Sequence, residues 1–196
     1  MRSRHWVVMV ALVLALGALG PAAFADTNLL ANGSFETGEF TDWTLAGNTG
    51  FTGVCDGCEG YTAEDGDFFA YMGAVGSDAL ISQPFSDVSG DSYVFSFWYN
   101  NNNGGTPEDF SAYWDGTQLL SIIDSPNTDG WVNYTFTETG TGTDTVQFDA
   151  RNDPSYDALD NASVTGVSPI PEPSSFLLMG SGLLGLAGAV RRKFRN

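Results

Sequence analysis

The side chains that could do chemistry in this chain are carboxylates, aromatic rings and two cysteines, because its single histidine is His5. All 24 acidic residues except Glu172 lie within 26–170, and Arg151 is the one basic residue of that segment. The segment therefore has 23 acidic residues and a net charge of −22. Without histidine it cannot hold a Ser-His-Asp or Cys-His nucleophilic set, and it lacks the imidazole ligands of common zinc sites.

This charge excludes non-specific nucleic-acid binding, which needs a basic surface, and it disfavours contact with anionic membranes. Cations, neutral glycans and water remain as partners, and the alternative is that acidity only keeps the protein soluble. A glycosidase needs two carboxylates about 5–10 Å apart, but no motif within 26–170 places such a pair in one cleft. We predict that the domain is not an enzyme, with a carboxylate-based, polysaccharide-active enzyme as the less favoured alternative.

The first 25 residues have the three parts of a secretory signal peptide. Arg2 and Arg4 are positive, 6–19 is an apolar stretch, and Ala23 and Ala25 form an A-x-A cleavage site. We predict that signal peptidase cleaves after Ala25, so that the mature chain begins outside the cytoplasmic membrane. An uncleaved membrane anchor is the alternative interpretation.

The last 26 residues contain a short motif, an apolar stretch and a basic end. The motif is Pro171, Glu172 and Pro173, and the basic end includes Arg191, Arg192 and Lys193. The stretch 174–190 just reaches the lower length limit of a membrane-spanning helix, about 17 residues. Because basic residues favour the cytoplasmic side, we predict a transmembrane helix over 174–190 with a cytoplasmic end. The alternative is a helix buried in a protein core.

This arrangement resembles the PEP-CTERM sorting signal of Gram-negative bacteria over residues 170–195. The resemblance implies recognition by a membrane-embedded exosortase, cleavage near the Pro-Glu-Pro motif, and release or attachment outside the cell. The helix would then hold the chain in the membrane only before processing. The family is associated with bacteria that make exopolysaccharide.

The alternation of residues between the two ends predicts an all-β jelly-roll sandwich with no helix. Residues 92–100 form the clearest strand, and aromatic residues on both of its faces indicate a strand inside a sheet. Asp115 and Gly116 predict a hairpin turn. The predicted strands are 29–36, 42–46, 67–72, 79–85, 92–100, 110–114, 118–124, 130–138, 145–150 and 159–167. The predicted organisation is a signal peptide (1–25), a β-sandwich (26–168) and a sorting signal (169–196).

Cys55 and Cys58 lie in a glycine-rich segment, 47–60, that we predict to be a loop. A redox Cys-x-x-Cys motif belongs beside a βαβ unit, and a zinc site would need two further ligands. Since exported proteins fold in an oxidising compartment, we predict a disulfide between these two cysteines.

The segments 32–36 and 159–164 resemble the first and last strands of carbohydrate-binding modules with a galactose-binding-like jelly roll. The resemblance extends over 28–167 and implies a structural calcium ion. Its ligands would be Glu36 and Asp160, completed by backbone carbonyls, because calcium takes six to eight oxygen ligands. A surface glutamate and a turn aspartate are the alternative interpretation.

Glycan binding requires an aromatic platform with polar groups around it. Trp43 and Trp131 stand where this family uses core aromatics. The predicted glycan-binding residues are Trp98, Trp114, Tyr99 and Tyr113, and a role in the core is the alternative for each of them.

These features together predict a secreted or surface-displayed protein that is sorted by an exosortase and binds extracellular polysaccharide without catalysis. The alternative is a structural matrix or adhesion protein of a biofilm or floc, without specific glycan binding. The predicted membrane contact is limited to the C-terminal helix before processing.

Overall fold

The computed structural model describes residues 27–101 and 104–167, together with Gly182. Residues 26–167 form one compact unit. The predictions for the signal peptide, the sorting signal and the transmembrane helix concern residues that lie outside the described ones. Among the described residues, no helix has the length and apolar character that a membrane span requires.

Ten strands form two antiparallel sheets of five strands each, which confirms the all-β sandwich. In chain order, the strands are β1 (Thr44–Gly47), β2 (Thr52–Cys55), β3 (Phe69–Met72), β4 (Ala79–Ser86), β5 (Ser92–Asn100), β6 (Glu108–Trp114), β7 (Thr117–Ile123), β8 (Val132–Thr139), β9 (Thr143–Asn152) and β10 (Asp157–Gly166). Sheet 1 has the order β1-β4-β9-β6-β7, and sheet 2 has the order β2-β3-β10-β5-β8.

The core lies between the sheets and is largely aromatic. Strand β5 has the predicted bounds and pairs with β10 and β8, so it lies inside sheet 2. Its Phe97 meets Phe148 of sheet 1 edge to face, with ring centroids 4.9 Å apart. Both rings are fully buried. Aromatic contacts of this kind join the two sheets. Because side chains alternate along a strand, these contacts also determine which residues of each strand face outward.

The predicted first strand, 29–36, is wrong, because this segment forms bends and turns. Asn32 and Phe35 have positive φ angles of 49° and 57°, which an extended strand cannot contain. The segment still follows β10, because the Ala162 N–H donates to the Gly33 carbonyl at 2.8 Å. A strand also lies within the predicted 47–60 loop, since β2 pairs with β3 there.

The predicted hairpin turn is confirmed between β6 and β7. Asp115 and Gly116 have positive φ angles of 47° and 73°, as a type I′ turn requires. The turn sets the register of the hairpin, in which Tyr113 lies opposite Gln118. This pair belongs to the outer face of sheet 1.

Candidate functional site

A row of five residues crosses the outer face of sheet 1, with one residue from each strand. Backbone register pairs Thr44 with Ser82, Ser82 with Gln147, Gln147 with Tyr113, and Tyr113 with Gln118. Each of these side chains is half-buried or exposed. With strands about 4.8 Å apart, this polar row extends about 19 Å across the sheet. It presents one aromatic ring among hydroxyl and amide groups.

Asp149 lies beside the polar row and is held by one of its members. Gln147 Nε2 donates a hydrogen bond to Asp149 Oδ1 at 2.7 Å. On the neighbouring strand, Gln118 Nε2 donates to Ser111 Oγ at 3.0 Å. Burial raises the pKa of Asp149 above its ordinary value, although the bond from Gln147 lowers it. The face therefore contains a fixed acceptor whose charge depends on pH.

Arg151 lies on the same face, since its neighbours along β9, Ala150 and Asn152, are buried. The strand register places it opposite Asp109 of β6. Burial and the charge of Asp78 raise the pKa of Asp109, and Arg151 lowers it. One cation thus balances part of the acidic charge on this face.

The structure does not bring the four predicted glycan-binding residues together. Tyr113 belongs to the polar row, whereas the half-buried Trp98 lies on the outer face of sheet 2 between Asp160 and Asn133. The predictions for Tyr99 and Trp114 are wrong, because their exposed fractions are 0% and 4%. They alternate with Trp98 and Tyr113 along β5 and β6, and the inward positions of both strands belong to the core.

The two tryptophans expected in the core lie in apolar surroundings. Trp43 is buried and contacts Phe35 and Phe148. Trp131 is half-buried and packs edge to face on Phe69, with centroids 6.2 Å apart. That contact belongs to a smaller cluster on the outer face of sheet 2.

Most of the polar row was not predicted from the sequence. Thr145, Gln147, Asp149 and Arg151 alternate with buried residues along β9, and this pattern was readable as a polar outer face. Aromatic rings were the expected binding groups, whereas four of the five residues in the row carry amide or hydroxyl groups on aliphatic side chains. Ser82 and Gln118 gave no signal by themselves, because only the strand register aligns them with Gln147 and Tyr113.

Glu36 and Asp160, the predicted calcium ligands, both contact the loop 64–68. Glu36 Oε1 accepts hydrogen bonds from the Asp67 and Phe68 amides at 3.1 and 3.0 Å. Asp160 Oδ2 accepts bonds from the Glu64 and Asp65 amides at 2.8 and 3.1 Å. The Asp160 carboxylate is fully buried, and this desolvation raises its pKa to about 6.

The groups around this loop fit calcium in ligand type, since carboxylate and carbonyl oxygens are its preferred ligands. Within 27–101 and 104–167, no set of three His, Cys, Asp or Glu side chains is arranged to hold a metal ion. A calcium ion here would therefore depend on Glu36, Asp160 and backbone carbonyls. Asp160 already accepts three backbone amides, including that of Asn161.

Cys55 and Cys58 form the predicted disulfide. Both cysteines are half-buried and pack against a cluster formed by Tyr61, Phe69 and Ala158. The disulfide thus shapes the loop that covers part of the outer face of sheet 2. It lies away from the polar row, on the other sheet.

Comparison with known proteins identifies a PEP-CTERM protein-sorting motif at residues 169–193. No curated protein matches the chain. Similar solved structures include TmCBM61 in complex with beta-1,4-galactotriose, with a TM-score of 0.59 and 18% identity over 71% of this chain and 99% of that one. The CBM22-1 xylan-binding domain of Paenibacillus barcinonensis Xyn10C has a TM-score of 0.52 and 19% identity, covering 76% of this chain and 100% of that one.

A third similar structure is the K2 cleaved adhesin domain of Lys-gingipain, with a TM-score of 0.51 and 18% identity over 74% of this chain and 100% of that one. At these identities the likeness concerns the fold. The sorting motif indicates an exported protein that is anchored and processed at its C-terminus. The chain thus carries a PEP-CTERM protein-sorting motif, and its β-sandwich is similar in fold to these carbohydrate-binding modules.

Proposed function

We propose that this protein binds a neutral extracellular polysaccharide on the outer face of sheet 1, without catalysing a reaction. The observation that carries the proposal is the polar row, which aligns Tyr113 with amide and hydroxyl groups across all five strands. Its length of about 19 Å suits an extended chain of sugars better than a single sugar.

The chemistry of the row supports this ligand class. A sugar can place its C–H face on the Tyr113 ring while its hydroxyl groups meet polar side chains. Gln147 and Gln118 offer both donors and acceptors, and Asp149 offers an acceptor already held in place. Asp149 and Asp109 on this face disfavour glycans that carry carboxylates, since like charges repel.

The comparisons support a binding role over catalysis. The similar structures include a module with a bound galactotriose and a xylan-binding domain, and both ligands are neutral sugars. Among the residues that the structure describes there is no histidine, so acid–base chemistry there would have to use carboxylates or tyrosines.

The sorting motif supports display outside the cytoplasmic membrane. We propose that signal peptidase removes 1–25 and that an exosortase processes the C-terminus near Pro171-Glu172-Pro173. The domain would then meet polysaccharide at the cell surface or in the extracellular matrix.

We further propose calcium as a structural ion held by Glu36, Asp160 and backbone carbonyls. Both carboxylates meet the 64–68 loop, so an ion there would join the N-terminal segment, this loop and β10. Its effect would be on stability, because the loop lies on sheet 2 and the polar row on sheet 1.

Isothermal titration with galactan, xylan and the producer's own exopolysaccharide tests the proposed glycan binding. Tyr113→Ala should weaken binding about tenfold, the equivalent of about 1.4 kcal/mol, which is the upper range of an aromatic contact. Trp98→Ala is the matched control, because it removes an aromatic side chain from the outer face of sheet 2. It should leave the affinity unchanged.

Two other results would overturn the proposal. Loss of binding in Trp98→Ala but not in Tyr113→Ala would move the site to sheet 2. Absence of binding at millimolar concentrations of every glycan would favour the structural matrix or adhesion role.

A further inference from the structure

Three buried oxygen-bearing side chains meet at one end of the core. The Tyr99 hydroxyl oxygen lies 2.8 Å from Glu108 Oε1 and 2.9 Å from Asp157 Oδ1. Their exposed fractions are 0%, 1% and 1%, so solvent cannot compensate charge there. A phenol has one proton and can donate it to one acceptor. The second short contact therefore requires a proton that belongs to a carboxyl group.

The surroundings identify Asp157 as the protonated carboxyl. Both carboxylate oxygens of Glu108 have a hydrogen-bond donor, because Oε2 accepts from the Ser125 amide at 2.7 Å and Oε1 lies 2.8 Å from the Tyr99 hydroxyl. Asp157 Oδ2 is buried and has no hydrogen-bond partner, so a negative charge on Asp157 would be poorly compensated. Burial raises the pKa of Asp157 well above its ordinary value, and the charge of Glu108 raises it further.

We propose that Asp157 stays protonated in the folded protein at neutral pH and, with Tyr99 and Glu108, forms a proton latch that closes the 124–128 loop. Asp157 donates its proton to the Tyr99 oxygen, and Tyr99 donates its own proton to the Glu108 carboxylate. In alkaline solution the Asp157 proton leaves to solvent, and two buried carboxylates then repel each other.

Glu108 connects this chain of hydrogen bonds to the loop. Besides the Ser125 bond, the Glu108 amide donates to Asp124 Oδ1 and the Asp124 amide donates to the Glu108 carbonyl, each at 2.9 Å. The far end of the loop is tied separately, because the Thr128 amide donates to the Asn101 carbonyl. Displacement of the Glu108 side chain therefore frees the Ser125 amide, while the bonds of Asp124 to the Glu108 backbone and of Thr128 to Asn101 can remain.

No other charged group described near the latch compensates a negative charge on Asp157. Asp109 on β6 is acidic, and its charge makes a negative charge on Asp157 less favourable. Asp124 on the loop is acidic as well. Arg151 on β9 points to the outer face of sheet 1, opposite Asp109. On β9 the group that contacts Asp157 is neutral, since Asn152 Nδ2 donates to Asp157 Oδ1 at 3.2 Å.

The sign of the pH effect follows from the raised pKa of Asp157. An unfolded aspartate titrates near pH 3.9. Below that value the Asp157 carboxyl is protonated in both the folded and the unfolded state, so its titration does not change the free energy of unfolding. As the pH rises above that value, the unfolded state releases its proton while the folded state keeps it, and stability falls. The loss stops only above the folded-state pKa, where the latch opens.

Infrared spectroscopy of the purified protein tests the latch directly. At neutral pH the wild type should show the carbonyl band of a protonated carboxylic acid, and Asp157→Asn should lack this band. Its absence from the wild type would overturn the proposal without any variant. An unchanged band in a folded Asp157→Asn protein would also overturn it.

Hydrogen exchange at the Ser125 amide tests the link to the loop. After correction for intrinsic exchange, the wild type should lose protection at least about tenfold between neutral and alkaline buffer, whereas Asp157→Asn should keep it. The Thr128 amide is the internal control, because its partner is the Asn101 carbonyl rather than Glu108. Equal loss at both amides, or no loss at Ser125, would contradict the latch.

Discussion

Gln147 and Asp149 are joined on the outer face of β9 by a hydrogen bond of 2.7 Å from Gln147 Nε2 to Asp149 Oδ1. The bond joins two side chains of the same strand face, so it forms without any loop movement. A carboxylate already held in one orientation loses less entropy when a ligand hydroxyl binds it. The outer face of sheet 1 therefore combines polarity with rigidity.

Asp149→Asn should weaken glycan binding about tenfold, because a hydrogen bond to a charged group contributes about 1.5–3 kcal/mol. Isothermal titration measures the change, and Asp91→Asn, at an exposed position outside the polar row, is the charge-matched control. The pKa of Asp149 is raised by burial, so wild-type affinity should fall as the pH is lowered and the carboxylate becomes protonated. Equal affinities of the two variants would show that Asp149 is not part of the binding site.

Calcium should raise the melting temperature, and a chelator should reverse the rise. At a concentration 100 times the Kd, a bound ion contributes about 2.7 kcal/mol, which corresponds to about 5–10 °C in a domain of this size. Asp160→Asn should abolish the response, and Glu36→Gln should reduce it. Glu39→Gln, a nearby exposed glutamate, should respond like the wild type. A calcium response that survives in Asp160→Asn would place the ion elsewhere.

The strands were predictable where residues alternate without interruption. Strand β5 has the predicted bounds because aromatic residues occupy every inward position from Tyr93 to Tyr99. The 29–36 segment was also predicted as a strand, but Asn32 and Phe35 have positive φ angles, and the Asn32 side chain bonds the backbone of Glu39, Thr41 and Thr37. Local pattern therefore identified most of the strands, the edge strands β7 and β8 among them, and failed where the chain turns at 29–36.

The candidate site was less predictable, for a physical reason. In β6 both Tyr113 and Trp114 are aromatic, and alternation alone states only that they face opposite sides. Trp114 faces the core, where its ring contacts Phe85 and Phe95. Both of these residues are remote from Trp114 in sequence. The alignment of Tyr113 with Gln147 depends in the same way on the pairing of β6 with β9.

Gly33→Ala should destabilise the fold by about 1–3 kcal/mol, the usual cost of overpacking. A Cβ atom at Gly33 would lie 2.0 Å from the Ala162 carbonyl oxygen, and this backbone atom cannot move without shifting β10. At Gly50 the same atom would meet only the side-chain oxygen of Asn48, at 3.2 Å. Gly50→Ala should therefore stay within about 0.5 kcal/mol of the wild type in urea denaturation. Similar midpoints for both variants would show that the N-terminal segment does not pack closely on β10.

Phe97→Ala should lower the free energy of unfolding by about 3–5 kcal/mol, because it removes a buried ring and leaves a cavity. Phe97 is fully buried and contacts Phe110 and Phe148 of the opposite sheet, so the cavity opens in the middle of the sandwich. Phe51→Ala is the matched control, since it deletes the same atoms from a side chain that is 64% exposed. Its effect should stay within about 0.5 kcal/mol. Guanidinium denaturation measures both variants, and a loss below about 1 kcal/mol for Phe97→Ala would contradict a core that joins the sheets through this ring.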